Sequence, residues 1–337
     1  MIVEIDDRSG FCFGVVNAIS AAEARLEAGV AEMAAGAAGL VSLGDIVHNG
    51  AEVARLRALG LETVPEQTDL ASLAGRTVLI RAHGEPPETY EQAEAHGITI
   101  VEATCPVVAR LQKTVRDAHA EMSAVGGGVV IFGRRGHAEV RGLAGQVGFR
   151  EKHASAALRS TPAFSHTPQY AAGRAPSQAL HPCTFDENQV MVVENEADLD
   201  TLDFARPICF LAQTTSSLAE FRRLGEIIRR RALDPDAVTI RDTVCRQVAD
   251  REEHLAEFAR RFDAVVFVAG AKSSNGRVLF DAVKAANPRS HKIENASELC
   301  SEWFDGVDKV GVCGATSTPG WSMREVADAI EAGVSRE

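Results

Sequence analysis

Short runs of β-branched and other apolar residues alternate along this chain with longer segments in which apolar positions recur every three or four residues. The first pattern is that of strands buried on both faces, the second that of helices with one apolar side. Strands are predicted at MIVEI (1–5), GLVSL (39–43), TVLIRA (77–82), ITIVEA (98–103), VVIFG (129–133), VMVVE (190–194), ICFLA (208–212), AVTIR (237–241), AVVFVAG (264–270) and KVGVCG (309–314). Helices are predicted over 15–29, 50–60, 106–122, 217–233, 246–262 and 317–333. Strand followed by helix, many times over, makes this an α/β protein with mostly parallel sheets. Residues 151–188, rich in Ala, Ser, Pro and His and without a period, interrupt the rhythm; the expectation there is a disordered insertion, the other reading being a flap.

Composition narrows the function classes. The 337 residues carry 35 Lys+Arg against 47 Asp+Glu, a net charge of −12, so no basic surface is expected to hold nucleic acid or an anionic membrane. The length suits two or three sub-domains. No apolar run approaches the roughly 20 residues that span a bilayer. The opening MIVEIDDRSG has neither a basic nor an apolar leader region, and the expected location is the cytoplasm. Seven cysteines, at 12, 105, 183, 209, 245, 300 and 313, contain no CxxC pair. In a reducing cytosol they are not a disulfide framework.

In open α/β sheets ligands bind beyond the carboxyl ends of the strands, so polar residues at strand-to-helix turns are the candidates for chemistry. Cys12, Cys105 and Cys245 each follow a predicted strand and precede or open a predicted helix. There the helix dipole and free N–H groups are expected to lower the thiol pKa, and three equivalent placements suggest one shared metal centre. Cys209 within a strand and Cys300 within a helix reading ASELCSEWF suit packing, and Cys183 lies in the insertion. Cys313 ends a strand and is read as packing, with a fourth ligand as the alternative.

His48, His83 and His137 also follow predicted strands, as do Gln213–Thr215, Ser273–Asn275 and Ser317–Thr318. Together these neutral or weakly basic groups suit an anion such as a diphosphate, although capping accounts for any one Ser/Thr/Asn cluster alone. Glu139 follows His137 in a predicted loop with Arg134 and Arg135; it delivers protons if the site is dry, and is an exposed glutamate otherwise. No GxGxxG stands in a strand–turn–helix setting and no Walker lysine motif is present, which leaves no nucleotide fingerprint.

The ordered series GFCFGV, HN (48–49), AHG (82–84), ATCP (103–106), GHAEV (136–140) with GQ (145–146), QTT (213–215), SSN (273–275) and STP (317–319) resembles the LytB/IspH family of 4-hydroxy-3-methylbut-2-enyl diphosphate reductases. The resemblance implies a three-lobed, trefoil-like arrangement of α/β domains around a central cluster, each lobe giving one cysteine. The lobes are expected at 1–103 with Cys12, 104–236 with Cys105 and the insertion, and 237–337 with Cys245. It also implies a [4Fe–4S] cluster on Cys12, Cys105 and Cys245, with one iron lacking a protein ligand. Diphosphate binding falls to His48, His83, Ser273, Ser274, Asn275 and Ser317. His137, Thr214 and Glu139 surround the substrate hydroxyl, with Glu139 as the proton source. The implied reaction is reductive dehydroxylation to isopentenyl and dimethylallyl diphosphate, with electrons from ferredoxin or flavodoxin. An acidic chain needs a local basic patch to dock such acidic carriers.

The chain departs from the family pattern in places. Val248 stands where a threonine is usual, Arg251-Glu252 replaces Arg-Gln, Lys272-Ser273 shortens the serine–asparagine motif by one residue, and Gly314-Ala315-Thr316 replaces Ala-Gly-Ala. A hydroxyl exchanged for an isosteric apolar group is not neutral. This motivates a second reading, a paralogue that removes a hydroxyl or related group from a different substrate. A non-catalytic iron–sulfur sensor and a three-thiolate zinc hydrolase are the remaining alternatives.

Overall fold

The computed structural model describes residues 1–34, 39–149 and 189–333. The chain runs β1 (Ile2–Ile5), α1 (Phe13–Ala34), β2 (Leu40–Leu43), α2 (Gly50–Ala58), β3 (Glu62–Val64), β4 (Thr77–Ile80), α3 (Pro87–Ala95) and β5 (Thr99–Glu102). It continues with α4 (Pro106–Ala124), β6 (Gly128–Phe132), α5 (Ala138–Gly145), β7 (Val190–Val193), β8 (Ile208–Ala212), α6 (Leu218–Arg231) and β9 (Val238–Ile240). The last elements are α7 (Arg246–Ala259), β10 (Ala264–Val268), α8 (Ser274–Ala286), β11 (Ser290–Ile293), β12 (Lys309–Gly314) and α9 (Gly320–Glu331). The insertion expected at 151–188, with Cys183, lies outside the described residues.

Three four-stranded sheets result, ordered β3-β2-β4-β5, β7-β6-β8-β9 and β11-β10-β12-β1. Every pairing among them is parallel. This is the α/β, three-sheet architecture expected. The central strands are buried throughout, as Gly128–Phe132, Ile208–Ala212 and Ala264–Val268 illustrate, because helices cover both faces. Helix α4 shows why the covering works: Pro106 starts it, and Val108, Leu111, Val115 and Ala118 put one apolar stripe on the sheet.

The lobe boundaries differ from those expected. β1 pairs with β12, Ile2 opposite Lys309 to Ile5 opposite Val312, so the first strand completes the sheet built by the last third of the chain. Likewise β9 pairs with β8 and belongs to the middle sheet. The reason is symmetry: in each sheet a short outer strand, two buried central strands and a second edge strand come in the same spatial order, and β1 fills the vacant fourth place. We call β2–β5 the first lobe, β6–β9 the second, and β10–β12 with β1 the third.

Several elements were not foreseen. β3 and β11 are short edge strands reading ETV and SHKI, too polar for an apolar run. α3, α5 and α8 follow them in this respect: PETYEQAEA is nearly all polar, AEVRGLAG carries two glycines, and α8 begins inside the Ser-Ser-Asn cluster. Cys300 is not in a helix; it sits between two single 3₁₀ turns, Ala296–Glu298 and Ser301–Phe304.

Candidate active site

The three lobes meet with their strand ends around one cavity. Cys12, Cys105 and Cys245 each follow the same edge strand of their sheets, β1, β5 and β9. Each is held in the same way, its N–H donating to a carbonyl just beyond the neighbouring central strand: Cys12 to Thr316 O at 3.0 Å, Cys105 to Ala82 O at 3.0 Å, Cys245 to Thr214 O at 2.9 Å. Cys105 and Cys245 are the N-caps of α4 and α7, and Cys12 directly precedes α1. The helix ends do not prevail over burial, however. Desolvation pushes the Cys105 and Cys245 thiols up, and the N–H groups of Val107–Val108 and Gln247–Val248 offset this only in part.

All three thiols are free and border the cavity. A Cβ on Gly14 would stand 2.7 Å from Cys105 Sγ, so the glycine keeps space open beside that sulfur. The group of described His, Cys, Asp and Glu side chains whose ligand atoms all lie within 4.8 Å of one another is His48, His83 and His137, not the cysteines. Three soft thiol donors converging on one cavity have the chemistry that holds an iron–sulfur cluster. Cys313 is fully buried in the core of the third lobe with Phe258, Phe267 and Leu279, and Cys209 is equally buried in the second. Both are packing residues, as expected.

Beyond the thiols the cavity wall sets polar side chains among apolar ones. It brings together His48, His83, His137, Glu139, Thr214, Ser273, Ser274, Asn275 and Ser317, with Val248 near Cys245, whereas Gln213 and Thr318 do not line it. The three imidazoles stand with ring centroids 5.0–5.4 Å apart. Burial holds all of them below the ordinary histidine range, His137 at about 3, helped by their mutual repulsion and by Arg81. They are neutral at pH 7. Since Arg81, Arg134 and Arg141 also surround them, the potential favours an anion over a divalent cation at this trio.

Arg81 escaped the sequence reading. It is 1% exposed, with its guanidinium 2.8 Å from Glu66 Oε1 and 3.2 Å from Glu85 Oε1. The signal was present as an arginine inside the apolar strand text TVLIRA, where only a paired and functional charge is tolerated.

Glu139 is not an exposed loop residue but lies in the first turn of α5, 2% exposed. Thr214 N donates to its Oε1 at 2.7 Å and Thr214 Oγ1 to its Oε2 at 2.9 Å. Desolvation outweighs those two donors and lifts the carboxyl to about 7. His137 caps α5, its Nδ1 accepting from Glu139 N at 3.2 Å and lying 3.2 Å from Gln213 Nε2. The Gln213 amide is oriented by its Oε1, which accepts from Arg134 N at 3.0 Å. With Nδ1 an acceptor twice over, these partners assign the His137 proton to Nε2.

The third lobe contributes hydroxyls and an amide. Ser273 caps α8 and lies 3.2 Å from Ser317, Oγ to Oγ. Asn275 Oδ1 accepts from Thr316 N at 3.0 Å and Thr316 Oγ1 at 2.7 Å, which fixes the amide and leaves Nδ2 without a partner. Among the described residues, both ring nitrogens of His48 and Nδ1 of His83 are likewise buried without partners. An unpaired buried polar group costs about 1–3 kcal/mol, so this concentration of them marks a place for ligand oxygens. Gly270 makes the arrangement possible: a Cβ there would stand 2.0 Å from His48 O, so only glycine lets the β10–α8 turn reach the first lobe.

The description "LytB protein" belongs to the family model that matches residues 3–174 and 176–331. The chain belongs to the LytB family. Among its relatives, the 4-hydroxy-3-methylbut-2-enyl diphosphate reductase of Bacteroides fragilis is 42% identical over 99% of both chains. A solved structure of (E)-4-hydroxy-3-methyl-but-2-enyl diphosphate reductase, described as the terminal enzyme of the non-mevalonate pathway, is 29% identical. It covers 98% of this chain and 100% of its own, with a TM-score of 0.60. The structure of the corresponding reductase from Plasmodium falciparum shares the fold, with a TM-score of 0.75 over 97% of this chain and 87% of its own at 20% identity. This LytB chain therefore has the three-lobed fold expected from its motifs. Among its described residues no helix is long and apolar enough to cross a membrane.

Proposed function

We propose that this LytB chain is a [4Fe–4S] reductase that converts 4-hydroxy-3-methylbut-2-enyl diphosphate to isopentenyl and dimethylallyl diphosphate. The observation that carries the reading is one cavity lined by three free thiols, by neutral donors without partners among the described residues, and by a buried carboxyl near neutrality. Whole-length identity of 42% to a relative of that activity supports the same substrate over that of a paralogue.

Cys12, Cys105 and Cys245 would hold the cluster, which supplies single electrons and a Lewis-acidic iron for C–O cleavage. The remaining roles belong to the chain. His48, His83, Ser273, Ser274, Asn275 and Ser317 bind the diphosphate, their free donors replacing its hydration. Bound anion raises the imidazole pKa values and converts neutral donors into charge-assisted ones. Glu139 in its acid form gives a proton to the departing hydroxyl, held in line by Thr214 and by His137 with Nε2–H outward. Overall two electrons and two protons enter, one C–O bond breaks, and water leaves. Ferredoxin or flavodoxin supplies the electrons in the cytoplasm. Val248, buried beside Cys245, keeps that part of the wall apolar.

The test is anaerobic turnover of the diphosphate by cluster-loaded protein with a reduced viologen. Isopentenyl products are expected, and Glu139→Gln should retain iron and sulfide while losing turnover by about 10²–10⁴. A fully loaded wild-type protein that makes no product overturns the reading.

A further inference from the structure

The three thiols are not enclosed by the substrate cavity. Cys12, Cys105 and Cys245 also border a second, outward-facing cleft of about 550 Å³ on their other side. The cysteines with Gly14, Val107 and Gln247 are common to both spaces, so they form the partition between them. A redox group on these sulfurs is reachable from outside without crossing the diphosphate cavity.

The charge of this cleft is opposite to that of the chain. Arg110, Arg241 and Arg246 line it against one carboxylate, Asp242, in a protein of net charge −12. Arg246 pairs with Asp242 at 2.8 Å and Arg241 with Glu121, while the exposed Arg110 side chain has neither a hydrogen-bond nor an ion-pair partner among the described residues. Between the arginines and the thiols, Phe13 and Val107 are exposed apolar side chains, 49% and 36% accessible, at the starts of α1 and α4. An apolar centre with a charged rim is the anatomy of a transient protein interface, and the rim charge steers the encounter.

We propose that this cleft is the docking face for a small acidic one-electron carrier protein, Phe13 and Val107 meeting its apolar centre and Arg110, Arg241 and Arg246 its carboxylates. The carrier gives up one electron per encounter to the group held by the three cysteines, and two encounters serve one substrate. This rests on the redox reading above.

The experiment measures binding of a plant-type [2Fe–2S] ferredoxin to the cluster-loaded protein by calorimetry at low and moderate salt, for wild type, Arg110→Glu and the Arg110→Glu/Arg246→Glu double variant. Arg230→Glu on the last turn of α6, outside the cleft, is the control. The double variant is expected to weaken binding and raise the carrier KM about tenfold or more, with a shallower salt dependence, and the single variant about threefold. Iron content and viologen-driven turnover should stay at wild-type values in both. Unchanged carrier affinity in the double variant, with viologen turnover intact, overturns the docking face. Charge-dependent carrier binding without any viologen-driven product overturns the functional reading instead and leaves the face standing.

Discussion

The ring of cysteines and the layer of residues beyond it obey different rules. After the fourth strand of each sheet the three lobes are alike, each with a cysteine bonded through its N–H to the neighbouring strand end. After the central strands they diverge. The first lobe gives His48 and His83, the second His137, Glu139 and Thr214, the third Ser273–Asn275 and Ser317. Symmetry is kept among the three cysteines and broken in the layer of side chains beyond them. Among the described residues that line the cavity, only the second lobe contributes a carboxyl, whereas the first contributes imidazoles and the third hydroxyls and an amide.

The comparison breaks most visibly at the cysteines. Serine at 12, 105 or 245 should lower iron content and turnover alike, each by more than about a hundredfold, with equal losses at the three positions. Unequal iron retention would show that the ring is not equivalent.

Next in size is the pH profile of the unsymmetrical layer. The Glu139 carboxyl is lifted to about 7, so the acid form dominates below that pH and is lost above it. Initial-rate measurements should show kcat/KM falling as pH rises through about 7, approaching tenfold per unit. Thr214→Val removes one donor from the carboxylate, so its pKa should rise and the falling limb should move to higher pH.

The histidines give the opposite sign. Their charged forms are disfavoured in the fold, so the unfolded chain binds more protons below about 6.5 and stability falls as pH drops from there. Thermal melts should show this loss between about pH 6.5 and 5, at up to roughly 1.4 kcal/mol per unit per histidine. Inorganic diphosphate, by pairing with the imidazoles, should reduce it.

Gly270→Ala tests the contact between lobes. Its Cβ overlaps the His48 carbonyl, so a loss of about 1–3 kcal/mol in chemical denaturation and a raised substrate KM are expected. The smallest effect belongs to Thr316→Ala, which frees one of the two anchors of the Asn275 amide. A KM increase of a few-fold with unchanged kcat is expected in steady-state assays.

Much of this was legible from strand ends. The apolar runs located ten of the strands, and the polar residues after them included all the groups that the cavity assembles. What local pattern does not carry is environment. Glu139 reads as an exposed loop residue because AEVRGLAG has no helical stripe, yet packing against Gln213 and Thr214 buries it. Cys105 and Cys245 read as acidified by helix ends, yet desolvation outweighs the dipole there. Arg81 was hidden because a buried ion pair depends on Glu66 and Glu85, residues that periodicity does not connect with it. The expected lobe boundaries failed where pairing is longest in range, at β1 with β12.

That pairing sets an order of events during synthesis. Cys12 is made long before the carbonyl that seats it, Thr316 O. The seat of that thiol thus exists only after β12 has been made and has paired with β1. A chain stopped before residue 309 would lack the strand that β1 pairs with and would leave Cys12 without its seat.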